Sequence, residues 1–332
     1  MNSTPKILII APAWVGDMVL THSLVRVLKH KHPQAQIDIA APAWTLPLAS
    51  RMPEVNASIE LPFSHGKLAL SARYQLAKQL RRVGYDQALV LPNSWKSALV
   101  PWLAHIPLRT GYSGELRLGL LNDRRTLNKN TSRTVDRFVS LGLSPQESLP
   151  NIPLPQLVVD TTVAKRLQQQ LGLRVGKVLA LCPGAEYGES KRWPIPYYAQ
   201  VANVALNAGW QVWLLGSAKD SVITAQIKCL ATDSIDLAGK TRLLEVVDLM
   251  SLANAVVSND SGLMHIAAAL GKYLVAIFGA STPQQTPPMS TQAIVEYLAL
   301  SCSPCFARQC PLQHHACLTQ IKPEQVLVHL NL

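Results

Sequence analysis

Lys6-Ile7-Leu8-Ile9-Ile10-Ala11-Pro12-Ala13-Trp14-Val15-Gly16-Asp17 is the stretch whose reading decides the fold. One cation precedes an unbroken apolar run, the pattern of a strand buried on both faces. The run crosses a turn with a single glycine into a segment over residues 17–30 whose apolar positions recur with helical period. A buried strand feeding a helix is the repeating unit of a parallel sheet covered by helices. Secretory signals also open with a cation before an apolar run. Here the run is short and leads straight into an amphipathic segment, so the expectation is a cytoplasmic chain.

Outward from this stretch the alternation continues. Residues 36–40, 58–61 and 86–91 read as strands, and 68–83 and 94–104 as helices, the first of them with a basic face of Arg73, Arg81 and Arg82. Pro145, Pro150, Pro153 and Pro155 crowd the stretch 144–156, where they break helices and stiffen a linker. The expected domains are therefore 1–150 and 151–332. The second half repeats the pattern, with strands over 178–182, 211–215, 255–258 and 274–278 and helices over 160–171, 196–208, 262–270 and 322–330. The expectation is an α/β protein of two similar parallel-sheet domains facing each other across a cleft.

Composition agrees with this reading. A chain of 332 residues exceeds what one core usually organises, and 48% apolar with 15% charged residues excludes disorder as the dominant state. No apolar run reaches the roughly 18 residues that a membrane-spanning helix needs. The net charge of +11 is uneven: residues 1–150 hold 18 Lys and Arg against 9 Asp and Glu, and residues 151–332 hold 13 against 11. A basic first half suits nucleic acid, an anionic membrane surface or an acidic substrate. Nucleic acid is disfavoured, because aromatic residues should then interleave with the cations and the chain has only 4 Phe. Of six cysteines, Cys182 and Cys229 sit in apolar surroundings and read as buried packing thiols. Cys302, Cys305, Cys310 and Cys317 cluster near His314 and His315; C-x2-C is a metal-ligand spacing, but C-x4-C and C-x6-C complete no familiar zinc pattern, and the expectation is a structural knot of reduced thiols, with a bound metal as the alternative.

Three segments can carry chemistry. Gly16 and Asp17 follow the first strand, where open α/β sheets bind ligands; Asp17 stands where a helix N-cap belongs. The loop has one glycine and lacks the G-x-G-x-x-G fingerprint, which argues against a dinucleotide-dependent oxidoreductase. Lys191 and Arg192 precede Pro194 after the strand end at Pro183-Gly184, and a lysine there is suited to neutralise phosphate. Ser258-Asn259-Asp260-Ser261-Gly262-Leu263-Met264-His265 runs from a strand through a polar turn into a helix, whose first N–H groups form a site for diphosphate.

With these segments in view, the chain resembles the bacterial lipopolysaccharide heptosyltransferases over nearly its whole length. The resemblance is carried by Ala13-Trp14-Val15-Gly16-Asp17-Met18, Ala41-Pro42-Ala43-Trp44, Ser50-Arg51-Met52-Pro53-Glu54-Val55, Val90-Leu91-Pro92-Asn93-Ser94 and Lys96-Ser97-Ala98-Leu99-Val100-Pro101. Arg109-Thr110-Gly111-Tyr112, Lys191-Arg192-Trp193-Pro194, Asn259 to His265 and Cys302-Ser303-Pro304-Cys305 complete it. It implies a GT-B fold of two Rossmann-like domains, the first for acceptor and the second for donor. It implies inverting transfer of L-glycero-D-manno-heptose from ADP-heptose to the first heptose of the Kdo-lipid A inner core, with no cofactor and no bound metal.

By this resemblance Asp17 matches the catalytic base and Lys191 the contact to the donor diphosphate. Asp260, Ser261, Gly262, Leu263 and His265 match the donor-binding turn, with Gly184 at the strand end beside it and Asp220 as the nearest candidate to hold the nucleoside. Gly16, Lys67, Arg73, Arg109 and Arg117 are expected to contact the acidic acceptor. A lipid acceptor in the inner leaflet implies a peripheral location on the inner face of the inner membrane, and no nucleic-acid partner.

Overall fold

The computed structural model describes residues 4–63, 68–127, 133–330 and 332. The chain divides into two compact units, Met1–Pro155 and Gln156–Leu332. Unit 1 runs β1 (Lys6–Ile10), α1 (Val15–Lys31), β2 (Gln36–Ala41), β3 (Ala57–Glu60), α2 (Leu70–Val83), β4 (Gln87–Val90), α3 (Trp95–Leu103), β5 (Leu108–Tyr112), β6 (Asp123–Arg125) and α4 (Thr134–Leu141). Unit 2 runs α5 (Thr161–Gln170), β7 (Val178–Cys182), α6 (Ile195–Asn207), β8 (Gln211–Leu214), α7 (Ser221–Leu230), β9 (Ile235–Asp236) and α8 (Leu243–Met250). It continues with β10 (Ala255–Asn259), α9 (Gly262–Ala269), β11 (Tyr273–Ile277), β12 (Ala293–Glu296), α10 (Ala316–Thr319) and α11 (Pro323–Leu330).

Each unit holds one six-stranded sheet, ordered β3-β2-β1-β4-β5-β6 in unit 1 and β12-β11-β10-β7-β8-β9 in unit 2. Every strand pair is parallel. The second order, read from its other edge, repeats the first, and both are the doubly wound order of Rossmann folds. The order reverses between β1 and β4, where Ile10 pairs with Val90, and between β7 and β10, where Cys182 pairs with Ser258. Crevices at the carboxyl ends of those strands are where such sheets bind ligands.

The central strands are largely apolar because helices cover both of their faces. Leu8, Ile9, Leu181 and Val257 are fully buried, and such burial stabilises by about 1.5–3 kcal/mol per side chain. In unit 1, Leu76, Ala77 and Leu80 of α2 pack onto Leu8 and Val90. On α1, His22 is fully buried with Nε2 2.6 Å from Glu54 Oε2, which fixes the Met52-Pro53-Glu54 turn to that helix. Burial of the Glu54 carboxyl raises its pKa, but the His22 hydrogen bond and charge, with Arg26, hold it below the ordinary carboxylate value. In unit 2, Trp193 and Tyr198 meet edge-on at 5.1 Å within the core.

Two expectations are corrected here. Arg73 does not share a solvent-facing basic surface with Arg81 and Arg82: it is 4% exposed, turned inward from α2. Cys229 is exposed on α7, whereas Cys182 is buried. β5 and β12 lie outside the strands read from sequence, and so do β6 and β9. The latter two are edge strands of three and two residues, and both carry charge, so no apolar run marks them.

Candidate active site

Unit 1 has a pocket of about 700 Å³ at the carboxyl end of its sheet. The segments following all six strands contribute to it: Ala11 to Trp14 and Asp17 after β1, Pro42 and Trp44 after β2, Leu61 and Phe63 after β3, Leu91 to Ser97 after β4, Tyr112 and Glu115 at β5, and Leu127, Thr134 and Arg137 after β6. The topology therefore builds the site, since strands running the same way end on one side. Six aromatic side chains line it, and half-exposed Trp14 and Trp44 are linked by Trp44 Nε1 donating to the Ala13 carbonyl at 2.8 Å. Asp17 faces this pocket from the first turn of α1. It is not the N-cap: Trp14 takes that position in an extended conformation.

The expected acceptor residues separate. Arg73 lines the pocket, with Nε donating to Leu68 O at 2.7 Å and Nη1 to Lys96 O at 2.8 Å, and its guanidinium lies 3.7 Å over the Phe63 ring. Arg117 is 1% exposed and lies outside the pocket lining, donating to Pro92 O, Asn93 Oδ1 and Tyr112 O; it braces the loop after β4. Arg109 lies low on β5, near its amino end, with its guanidinium on Leu120 O and Ile106 O, and lines a different hollow with Trp102 and His105. Gly16 is half-buried in the first turn of α1, and Lys67 lies outside the described residues.

In unit 2 the β7–β10 crevice is polar and tightly bonded. Lys191, on the 3-10 turn Glu189–Lys191, places Nζ 2.5 Å from Asp260 Oδ2, and Ser281 Oγ donates to the same oxygen at 2.5 Å. Asp260 is 5% exposed. It stands just before α9, whose N-cap Ser261 makes no side-chain cap; its hydroxyl is 3.3 Å from Ser258 Oγ. The first N–H groups of α9, at Gly262 and Leu263, thus have no capping oxygen from Ser261 and carry the positive end of the helix. His265 is 5% exposed, with Nδ1 unpartnered. Burial pushes its pKa down to about 4 and Lys191 adds to this, while the Asp260 charge opposes it, so the ring is neutral near pH 7.

Asn259 organises this crevice and is missing from the residues assigned from sequence. It is fully buried at the last position of β10. Its Oδ1 accepts from Trp193 N and Tyr198 Oη, each at 3.0 Å, and its Nδ2 donates to Pro183 O at 2.7 Å. One amide therefore joins both strand ends to the chain after Lys191. The available signal was an amide at the end of a buried strand, after Ala255-Val256-Val257-Ser258. Asp220 Oδ2 accepts from Ser217 N at 2.9 Å and Ser217 Oγ at 2.8 Å, closing a capping box. A Cβ on Gly184 would fall 2.4 Å from that carboxyl group, so glycine lets the Asp220 carboxylate approach the end of β7.

The cysteine-bearing segment braces the same crevice. Tyr187 Oη donates to Phe306 O and Ser190 Oγ to Ala307 O, both at 2.5 Å, while Ser303 Oγ donates to Gly279 O at 2.5 Å. Gly188 lies against the Arg308 carbonyl, which a Cβ would meet at 2.3 Å. Burial raises the Cys317 thiol to about 11, with Cys302, Cys305 and Cys310 adding to the shift. Among the described residues no group of three or more His, Cys, Asp or Glu side chains is arranged to hold a metal ion. No helix among them is long and apolar enough to cross a membrane.

Comparison with known proteins agrees with this geometry. Glycosyltransferase family 9 (heptosyltransferase) matches residues 73–316. Lipopolysaccharide heptosyltransferase 2 of Salmonella typhimurium is 44% identical over 98% of this chain and 97% of its own. Lipooligosaccharide heptosyltransferase 2 of Haemophilus ducreyi is 43% identical, with 98% of each chain covered. Among solved structures, E. coli ADP-heptose LPS heptosyltransferase II matches with a TM-score of 0.88 at 42% identity, covering 98% of this chain and 97% of that one.

Proposed function

Since this chain belongs to glycosyltransferase family 9, the heptosyltransferases, we propose that it moves L-glycero-D-manno-heptose from ADP-heptose onto the first heptose of heptosyl-Kdo-lipid A, with inversion at the anomeric carbon. Unit 1 binds the acceptor and unit 2 the donor. The observation that carries this reading is the crevice of unit 2, where Lys191 Nζ stands 2.5 Å from Asp260 at the uncapped start of α9. A cation and a helix N-terminus together suit a diphosphate.

The reaction follows from these groups. The Asp17 carboxylate takes the proton from the acceptor hydroxyl as its oxygen attacks C1 of the heptose. The bond from C1 to the diphosphate oxygen breaks, and ADP leaves with its electron pair. Lys191 and the first N–H groups of α9 stabilise the charge that grows on that oxygen. Asp260 holds Lys191 before the donor arrives, and neutral His265 adds no competing cation beneath it. Arg73 and the turn from Ala11 to Trp14 line the acceptor pocket, Arg117 braces the loop after β4 beside it, and Arg109 ties the chain together near the amino end of β5, away from the pocket. The acceptor is a membrane lipid, so the protein works peripherally on the inner face of the inner membrane.

Mass spectrometry of the product made from ADP-heptose and heptosyl-Kdo-lipid A tests the reading. The expected product gains one heptosyl unit, and its anomeric configuration by NMR is opposite to that of the donor. ADP-heptose consumed without any gain in acceptor mass would overturn it.

A further inference from the structure

Residues 303–308 of the cysteine-bearing segment are pinned to the chain after β11 and to the chain after β7. Ser303 Oγ donates to Gly279 O at 2.5 Å and Phe306 N to Ala280 O at 2.8 Å. On the β7 side, Ser190 N donates to Arg308 O at 3.3 Å, beside the bonds from Tyr187 Oη to Phe306 O and from Ser190 Oγ to Ala307 O. Ser190 immediately precedes Lys191, so the backbone of Arg308 is tied to the turn that carries Lys191. Glycine at 188 admits this approach, because a Cβ there would meet the Arg308 carbonyl at 2.3 Å. The side chain contrasts with this fixed backbone. Arg308 is exposed, and its guanidinium makes no hydrogen bond or ion pair among the described residues. It lies 5.5 Å from the Tyr187 ring, and Lys191 Nζ lies 5.0 Å from the same ring. Two cations thus meet at one aromatic face beside the β7–β10 crevice, an attraction that holds each in place. Lys191 is already paired with Asp260 at 2.5 Å, so the pair carries little net charge, and Arg192 is turned to the Ala185 carbonyl. Of the acids on the same loop, Glu186 is held by Lys219 at 2.6 Å, and Glu189 is exposed and pairs with neither cation. Fixing a backbone so tightly costs entropy that a merely solvated arginine does not repay.

We propose that Arg308 is a second cation for the donor diphosphate, carried to the crevice by the cysteine-bearing segment. A departing ADP is strongly anionic, and the Lys191–Asp260 pair alone offsets little of that charge. The planar guanidinium fork matches two phosphate oxygens. As the bond from C1 to the diphosphate oxygen breaks, its electron pair stays on the diphosphate, and Arg308 donates to the oxygens over which that charge spreads. This role rests on the assignment of ADP-heptose to unit 2. It goes further by naming a donor contact outside the three segments that run from strand to helix, and it gives the brace around the thiols a task in the reaction.

Calorimetric affinity of the full-length protein for ADP, with adenosine as the phosphate-free control, tests it. Arg308→Gln weakens ADP roughly tenfold or more, the scale of one charge-assisted hydrogen bond, and leaves adenosine binding close to that of the wild type. Turnover falls as well, because the same contact meets charge that grows as the bond breaks, while the acceptor KM is unmoved. Arg308→Lys keeps the charge and restores part of the ADP affinity, a rescue that a purely structural arginine would not show. The side chain is exposed, so neither variant disturbs the core. Arg308→Gln with the ADP affinity and turnover of the wild type overturns the proposal. An equal loss for ADP and adenosine also overturns it, since Arg308 would then serve the nucleoside. A wild-type protein with no affinity for ADP would instead overturn the assignment of the donor to unit 2, and the role of Arg308 would fall with it.

Discussion

The two units share a strand order and differ at the same place in it. At the β1–β4 switch point unit 1 opens a pocket of about 700 Å³ walled by aromatic rings and cations. At the β7–β10 switch point unit 2 closes a small polar cluster in which Lys191, Asp260 and Ser281 are within 2.5 Å contacts and Asn259 joins both strand ends. A parallel sheet fixes where a ligand binds, and the loops after its strands decide which ligand it is. Wide loops with tryptophans suit a bulky sugar acceptor. A short turn into a helix with one buried ion pair suits a diphosphate.

The strongest way to break this division is Asp17→Asn. Turnover falls by roughly 10²–10⁴, the usual worth of general-base assistance, while ADP affinity measured by calorimetry stays within a few-fold. A loss of ADP affinity would put donor binding in unit 1 and end the division of labour. Next in size is an acid effect confined to unit 2. The pKa of His265 is about 4 in the folded protein against 6.5 unfolded, so the unfolded chain takes up the proton first as pH falls. Stability from this group is complete above pH 6.5 and is lost between pH 6.5 and 4, on the order of 3 kcal/mol in all. Denaturant melts across that range should show a shallower acid loss in His265→Gln, and an identical slope would refute the assignment.

Lys191→Ala comes third. ADP affinity drops by roughly tenfold to a hundredfold, one charge-assisted contact, and turnover falls with it, while acceptor binding is unmoved. An unchanged ADP affinity would move the phosphate contact to Arg192. The smallest effect concerns the outer face of α2, where Lys78, Arg81 and Arg82 are exposed beside Leu70 and Tyr74 and no residue of the helix is acidic. Replacing the three cations by glutamine weakens sedimentation with anionic vesicles by on the order of 1 kcal/mol per residue at low salt. Arg73 is left out because it faces the pocket. Equal vesicle binding by the variant would show that unit 1 keeps its positive charge for the acceptor alone.

What the sequence made legible was whatever lies in order along it. Ala13 to Asp17, Lys191 to Pro194 and Asn259 to His265 each run from one element into the next, and their chemistry can be read without knowing the partners. The burial of Arg73 was illegible because it depends on Phe63 and the Lys96 carbonyl, which another loop supplies. Arg109 and Arg117 looked like ligands for an acid because free arginines do. Their partners are backbone carbonyls at Leu120, Ile106, Pro92 and Tyr112, set by how the loops fold back. Lys96 and Arg137 converge because β4 and β6 lie in one parallel sheet, a relation with no local trace in the chain.

The unequal placing of tryptophans has an optical consequence. Trp14, Trp44 and Trp95 line the unit 1 pocket, the first two about half exposed, while Trp193 and Trp213 of unit 2 are sealed in its core. Intrinsic fluorescence excited in the indole band therefore has an exposed population, to which Trp102 outside the pocket also contributes, and a core population; Trp102→Phe leaves the pocket rings as the exposed emitters. Iodide, an anion drawn towards the cationic wall, should quench the red-shifted emission of the pocket rings and spare the blue-shifted emission of the core. An acceptor seated in the pocket should shield those rings, so the protein carries its own dye-free reporter of acceptor occupancy.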